Sequence, residues 1–282
     1  SLPAETPAVN INFDTAREYC EAKGYGWHLS TAAEWAAIAL WCKKSGFHPR
    51  GNNNYGKDSE ETEYKAILSD SIENIVTTGT GPLTWSHDGT ASGIWDMNGN
   101  VMEWQSGLRL VWGEIQILAN NDAADPDNPQ NNTSTCWKAI NAANGTLVEP
   151  ESKTTDTACK TSGNTVKFDY VNGVWTFSTD ITSPQSANRG CLFGNVTCTN
   201  AISAAAKMLL RALALLPDEG ADPSEYKNDR MYWINGAAEH VMTRGGIWSY
   251  TSNAGVFSVD GSTSRWVAST GIGIRAVYIP NI

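Results

Sequence analysis

The sequence predicts an α+β chain, irregular and loop-rich, with a large insertion inside it. Three observations predict this. Twelve Trp and 25 Gly in 282 residues suggest a fold in which indoles hold long loops together. Capped helical stretches near the start give way to hairpin signals further on. Finally, residues 105–240 separate a Trp-rich motif from a Gly/Ser-rich C-terminal segment and show no fixed repeat of their own.

The first elements lie at residues 9–46. Val9-Asn10-Ile11-Asn12-Phe13 alternates like an edge strand. Asp14-Thr15 is placed to cap a helix running to about Lys23, with Thr15 and Glu18 at capping-box spacing and Gly24 as its stop. After Trp27-His28-Leu29, Thr31 and Glu34 form a second box. The apolar positions Trp35, Ile38, Ala39, Trp41 and Cys42 spread around that helix, so it is expected to be well buried. Residues 45–92 are mostly turn chemistry, with a polar helix expected near Glu60–Ser69 and Trp85 as an anchor. Asn98-Gly99 between apolar stretches signals a hairpin, with Val101 and Glu103 on one side and Met102 and Trp104 on the other.

Within 105–240, Asn120–Thr135 reads as a polar loop. Val166–Tyr170 and Val174–Phe177, joined across Asn172-Gly173, read as a hairpin. Ala201–Leu216 is the one strong Ala/Leu helix, stopped by Pro217. Asp218–Asn235 reads as a last loop that leads into Arg244.

Residues 244–278 divide into a framework and a filling. The framework is Arg244-Gly245-Gly246, Trp248, Ala254–Phe257, Ser264-Arg265 and Gly273–Val277. The filling is Ile247, Ser249, Tyr250, Thr251, Ser252, Ser258, Asp260, Gly261, Ser262, Thr263, Trp266, Val267, Ser269 and Gly271. Small polar residues with a few large aromatics and little charge suit a binding surface: Tyr and Trp give rigid contact area, and Ser, Thr and Gly adapt around them. The same composition also fits ordinary edge hairpins.

Composition narrows the partners. Thirty acidic against twenty basic residues, net −10, disfavours nucleic acid and anionic membranes. No apolar run is long enough to span a bilayer. Cys20 and Cys42 read as buried thiols, while Cys136/Cys159 and Cys191/Cys198 are candidate disulfides in an oxidising compartment. His28, His48, His87 and His240 lack the spacing of metal ligands.

Four motifs in this order resemble the sulfatase-modifying, formylglycine-generating-enzyme branch of the C-type-lectin fold. They are Trp27–Trp35, Gly93–Trp104, Arg244-Gly245-Gly246-Ile247-Trp248 and Gly273-Ile274-Arg275. The sequence is more closely similar to the variable proteins of diversity-generating retroelements, through Pro49–Gly56, Gly81–Gly89 and Ala254-Gly255-Val256-Phe257. That resemblance implies a single C-type-lectin domain over 1–282, with 105–240 as an insertion and 244–278 as the variable region. It implies a scaffold of Trp95, Asp96, Asn100, Glu103, Trp104, Arg244, Gly245, Gly246, Trp248, Arg265 and Arg275 that holds the filling toward solvent. In such proteins a reverse transcriptase rewrites codons opposite template adenines. Asn codons beginning AA then yield Ser, Thr, Tyr, Asp, Gly, Ile or Val, and Trp266 is reachable from AGG.

The expected function is therefore non-enzymatic ligand binding without a cofactor or metal. The expected partner is a clone-specific ligand, a protein on another cell or virus surface, and the expected location is a virion or prokaryotic cell surface. The related enzymes use two cysteines after the Arg-Gly-Gly motif to hold copper, and no cysteine follows Cys198. Hydroxyls do not replace thiolates in a soft-metal site. Asp96, Glu103 and Glu239 are readable as an acid/base pair or as calcium ligands. The simpler reading has Asp96 and Glu103 organising the hairpin through backbone amides and Arg244 or Arg275.

Overall fold

In the computed structural model, residues 3–280 are described. Helix α1 spans Phe13–Glu21, strand β1 Trp27–Leu29 and helix α2 Ala32–Ser45. Then follow β2 (Met102–Val111), β3 (Glu114–Ile117), β4 (Lys138–Ile140), β5 (Leu147–Val148), β6 (Ser162–Val171), β7 (Val174–Asp180), β8 (Arg189–Leu192) and β9 (Thr197–Cys198). Helix α3 is Ala204–Ala212, and the last strands are β10 (Arg230–Trp233), β11 (His240–Gly245), β12 (Gly255–Thr263), β13 (Ile272–Gly273) and β14 (Ala276–Tyr278). This is an α+β architecture dominated by one long sheet, with strand order β8-β10-β12-β11-β2-β3-β6-β7-β9 along its main path. A second pairing, β1 with β14, joins the two ends of the chain.

Caps decide the helices. Thr31 and Glu34 close the capping box on α2, and Gly46 ends that helix at φ 71°, as their types require. Helix α1 starts earlier than expected: Asn12 Oδ1 accepts from Thr15 N at 3.0 Å. Asp14, the expected cap, instead ion-pairs with Arg265 at 2.7 Å. With Asn12 taken up as the cap, the expected edge strand shrinks to a single bridge between Val9 and Gly273. Helix α2 buries Trp35, Ala39 and Cys42 but leaves Trp41 44% exposed, with its ring 5.0 Å from that of His87.

No helix forms at 60–69, where Tyr64 and Ile67 stand exposed. Tyr64, Ile67 and Leu68 find no core to cover them, and Ala66 packs against Val76 and Trp85 from a non-helical chain instead. Helix α3 is shorter than the expected 201–216. Its chain leaves the helix at Leu213, and the Leu213 and Ala214 carbonyls accept from Arg244 instead. The hairpin of β6 and β7 forms as expected, turning through Asn172 (φ 50°) and Gly173 (φ 85°).

Asn98-Gly99 does turn the chain, but the flanking segments do not pair with each other. Trp95 bridges to Ser86, and β2 pairs with β11, β3 and β13. The Asn98 turn is filled from outside: a Cβ on Gly99 would lie 2.1 Å from the Asn52 carbonyl oxygen. Asn100 takes over strand-like bonding, accepting from Val76 N at 2.9 Å and donating to Val76 O at 3.1 Å. Met102 and Trp104 still face one cluster, and Val101 and Glu103 line a cleft on the other side.

The largest core cluster mixes all parts of the chain: Trp35 and Ala39 of α2, Phe168 and Trp175 of the β6–β7 hairpin, Leu210 of α3, and Phe257 and Val259 of β12. Indoles tie loops to it through backbone carbonyls. Trp35 donates to Val256 O, Trp104 to Ile11 O, Trp137 to Asn131 O and Trp175 to Arg189 O, all within 2.8–3.1 Å. All six cysteines are free thiols.

Candidate functional site

The C-terminal segment is built on β12, whose residues alternate. Phe257 and Val259 enter the core, so Ser258, Asp260 and Ser262 point to the opposite face. Beside β12 runs β10, parallel and in register, with Met231 opposite Val259, Tyr232 opposite Asp260 and Trp233 opposite Gly261. Met231 and Trp233 also belong to the core. Tyr232 and Arg230 therefore share the outward face with Ser258, Asp260 and Ser262.

Tyr250 reaches this face from the loop before β12. Its ring lies 6.0 Å from that of Tyr232 and beside Gly246, where a Cβ would stand 3.3 Å from Tyr250 Cδ2. Burial, then Asp260, then Tyr232 push the Tyr250 phenol up to about 12. Burial also raises the Asp260 carboxyl, against the donors of Ser262. Ser262 N and Oγ both donate to Asp260 Oδ1, at 2.8 and 2.6 Å.

The loop 247–253 is fastened to the N-terminal half. Trp248 N donates to Asn100 O and Trp248 O accepts from Tyr55 N, while Thr251 N donates to Asn53 O at 2.9 Å. The second loop, 264–271, hangs from Arg265. This guanidinium is 2% exposed and donates to Glu239 through Nε and Nη2, to Asp14 through Nη1 and to Gln130 O. Arg109 binds the same Glu239 carboxylate at 2.7 Å. Desolvation works against the Glu239 charge, but the two guanidiniums hold its carboxyl below the usual range. The loops meet at Gly271, where a Cβ would find Ile247 Cγ2, Ser269 Oγ and Trp248 at 3.6–3.7 Å.

The filling residues do not share one exposure. Trp266 is 67% exposed, and Thr251 and Val267 are exposed as well. Ile247, Ser249, Tyr250, Ser252, Ser262, Thr263 and Ser269 are half-buried. The expectation of a wholly solvent-facing filling is corrected at Ser258, Asp260, Gly261 and Gly271, which are buried. Ser258 Oγ donates to Arg230 O at 3.3 Å and Asp260 stands opposite Tyr232, while Gly261 lies under Trp233, whose ring a Cβ would meet at 2.1 Å. Trp266 makes no ring contact with Tyr250 or Tyr232 among the described residues.

Most of the framework is deeply placed: Arg244, Gly245, Gly246, Val256, Phe257, Arg265 and Gly273 are buried, and Trp248 is half-buried. Arg244 serves the end of α3 rather than the Asp96 hairpin. Its Nη2 donates to Leu213 O at 2.9 Å and to Ala214 O at 3.1 Å. Burial lowers it to about 9, with Asp229 opposing. Arg275 is the partner of Glu103, which it grips with Nε and Nη2 at 2.7 and 2.6 Å while also donating to Trp95 O. Asp96 Oδ2 accepts from Gly79 N at 2.8 Å.

Tyr232 and Arg230 were missed because Asp218–Asn235 reads as a loop. The signal was present: Arg-Met-Tyr-Trp alternates polar and apolar over four residues, which is short for a strand.

The copper implied by the enzyme resemblance finds no match in these donors. Residues 247–271 offer hydroxyls, a phenol and one carboxylate, and a soft ion needs thiolates. Among the described residues, no group of three or more His, Cys, Asp or Glu is arranged to hold a metal ion. His28 is bound to Glu34 at 2.8 Å, and His87 Nδ1 accepts from Ile94 N.

A family model described as a sulfatase-modifying factor enzyme 1-like domain matches residues 1–117. No curated protein sequence matches the chain. The matched part holds α1, α2, the Gly93–Trp104 motif, β2 and β3. The segment 244–278 lies beyond it. Over residues 1–117 the chain is thus similar to the sulfatase-modifying-factor family, and its mixed α+β architecture with one long curled sheet fits a fold of that type.

Proposed function

We propose that the chain is a non-enzymatic ligand-binding protein of C-type-lectin fold, whose residues 247–271 form a surface diversified by a retroelement. The observation that carries this reading is the match between residue type and position. In 244–278 the framework residues Arg244, Gly245, Gly246, Ala254, Gly255, Val256, Phe257, Arg265 and Gly273 are buried, while Ser249, Tyr250, Thr251, Ser252, Ser262, Thr263, Trp266, Val267 and Ser269 are half-buried or exposed and rim two adjacent loops and one sheet face. A fixed scaffold carrying variable side chains changes what it binds without changing its core.

The similarity at 1–117 is to a domain named for an enzyme, so an oxidase-like activity is the natural competitor. It would need a pair of thiols after the Arg-Gly-Gly motif, and this chain places Tyr250, Thr251 and Asp260 there. The ligand of the proposed surface is a protein on another cell or virus, met by a virion or prokaryotic cell surface.

The test is sequencing of the encoding gene across a natural population, through the codons for 244–278 and the DNA downstream. The expected result is substitution confined to the filling codons, each opposite an adenine of a nearby near-copy. A uniform gene without a near-copy would remove diversification and leave an adhesin of fixed specificity.

A further inference from the structure

Away from the C-terminal loops, the chain forms a second cleft of about 610 Å³, within the size range of small-molecule sites. Its walls are Pro7, Ala8, Tyr19, Trp27, Val101 and Ile274, from the N-terminal segment, the end of α1, β1, the start of β2 and the chain before β14. Three charged groups line it on the sheet side: Asp96, Glu103 and Arg275. Glu103 and Arg275 satisfy each other through two bonds. Asp96 is left with a deficit. Gly79 N serves its Oδ2, while Oδ1 is buried without a hydrogen-bond partner among the described residues. The residue is 7% exposed and held in a left-handed conformation at φ 61°, which is uncommon outside glycine. Buried acceptors are nearly always paired, so an orphaned carboxylate oxygen beside an open apolar cleft requires an explanation.

We propose that this cleft binds a small organic amine, its aromatic or aliphatic body against Trp27, Tyr19 and Ile274 and its ammonium donating to Asp96. The charge count favours a cation. Asp96 and Glu103 against Arg275 leave one net negative charge on the sheet side, and the nearby Glu5 and Lys23 offset each other. An anion would meet the orphaned carboxylate; a purely apolar molecule would leave it unpaired. Burial raises Asp96 to about 6, so it is ionised at neutral pH. None of these residues belongs to the filling, and the site does not depend on diversification.

The experiment is calorimetric titration of the whole chain at pH 7.5 with benzylamine, phenethylamine and cyclohexylamine, and with 3-phenylpropionate as the anionic control. Saturable binding of at least one amine is expected, and none of the anion. Asp96→Asn, which keeps an acceptor for Gly79 N, should weaken the amine at least tenfold. Ala8→Trp fills the cleft from an exposed position, so it leaves the core intact and should abolish binding. Failure of all three amines to bind, equal binding of the anion, or binding unchanged by Ala8→Trp would each overturn the proposal.

Discussion

Trp266 and Arg265 are neighbours in sequence with opposite roles, and substitution should separate them. Trp266 is two-thirds exposed, so Trp266→Ala should change the unfolding free energy by less than about 0.5 kcal/mol. Unfolding of the domain by that change would make Trp266 a structural residue. Arg265 is the hub for Glu239 and Asp14, and Arg265→Leu leaves the Glu239 carboxylate, 9% exposed, short of donors. Denaturant titration should show a loss of roughly 3–5 kcal/mol.

Asp96, buried, and His48, half-buried, titrate in the same window with opposite sign. Burial raises the Asp96 carboxyl from 3.8 to about 6. Its folded value exceeds the unfolded one, so the protonated side chain stabilises at low pH and that contribution is lost as pH rises through 6. Burial, with Lys227, Arg50 and Lys43 assisting, lowers His48 from 6.5 to about 4. That depressed value means stability present above 6.5 and lost as pH falls toward 4. Asp96→Asn should therefore raise the melting temperature at pH 7–8 and do nothing near pH 4, whereas His48→Gln should help only on the acid side. Melting curves of both variants between pH 4 and 8 check the signs. A stabilising effect of Asp96→Asn that grows toward low pH would contradict the burial of its charge.

At the scale of elements, β12 decides which filling positions tolerate a side chain. A Cβ on Gly261 would enter the ring of Trp233 at 2.1 Å, and that ring is itself buried in the core. Gly271 has its nearest neighbours at 3.6 Å and beyond, which is ordinary contact. Gly261→Ser should cost roughly 1–3 kcal/mol as an overpacked site, and Gly271→Ser should be close to neutral. Thermal unfolding of the two variants tests the difference, and equal effects would refute the strand's assigned faces. What was legible at this scale followed local chemistry. The Thr31/Glu34 box and the Asn172-Gly173 turn involve residues a few positions apart, and both form. Asn98-Gly99 failed as a hairpin because Asn52, far off in sequence, fills the turn and Asn100 bonds Val76. Helix α3 ends early because Arg244 takes the carbonyls of Leu213 and Ala214, which would otherwise continue it. Such long-range partners leave no mark in a local pattern.

Over the whole molecule, the segment between β2 and β11 leaves and re-enters at adjacent points. Trp112 N donates to Ala237 O, and Leu110 stands opposite His240. That closeness makes the segment look removable, but its strands occupy both sides of the central sheet. On one side β10 and β8 extend it past β12; on the other, β6, β7 and β9 extend it past β3. Phe257, a framework residue, lies tilted against Phe193 and meets the edge of Tyr226, at 5.0 Å in each case, and both rings come from the segment. Joining Val111 to Ala238 through a short Gly/Ser linker would strip β12 of its parallel partner and expose Phe257, Val259 and Met242 of the shared core. The expected outcome is a chain without a cooperative thermal transition, since one contiguous core cannot lose most of its side chains and remain packed. A cooperative transition with retained tertiary circular dichroism would mean that the rest folds alone. The faces now formed by Tyr232 and Asp260 would then be additions to a finished domain, and the ligand surface would be carried by the two loops without the sheet.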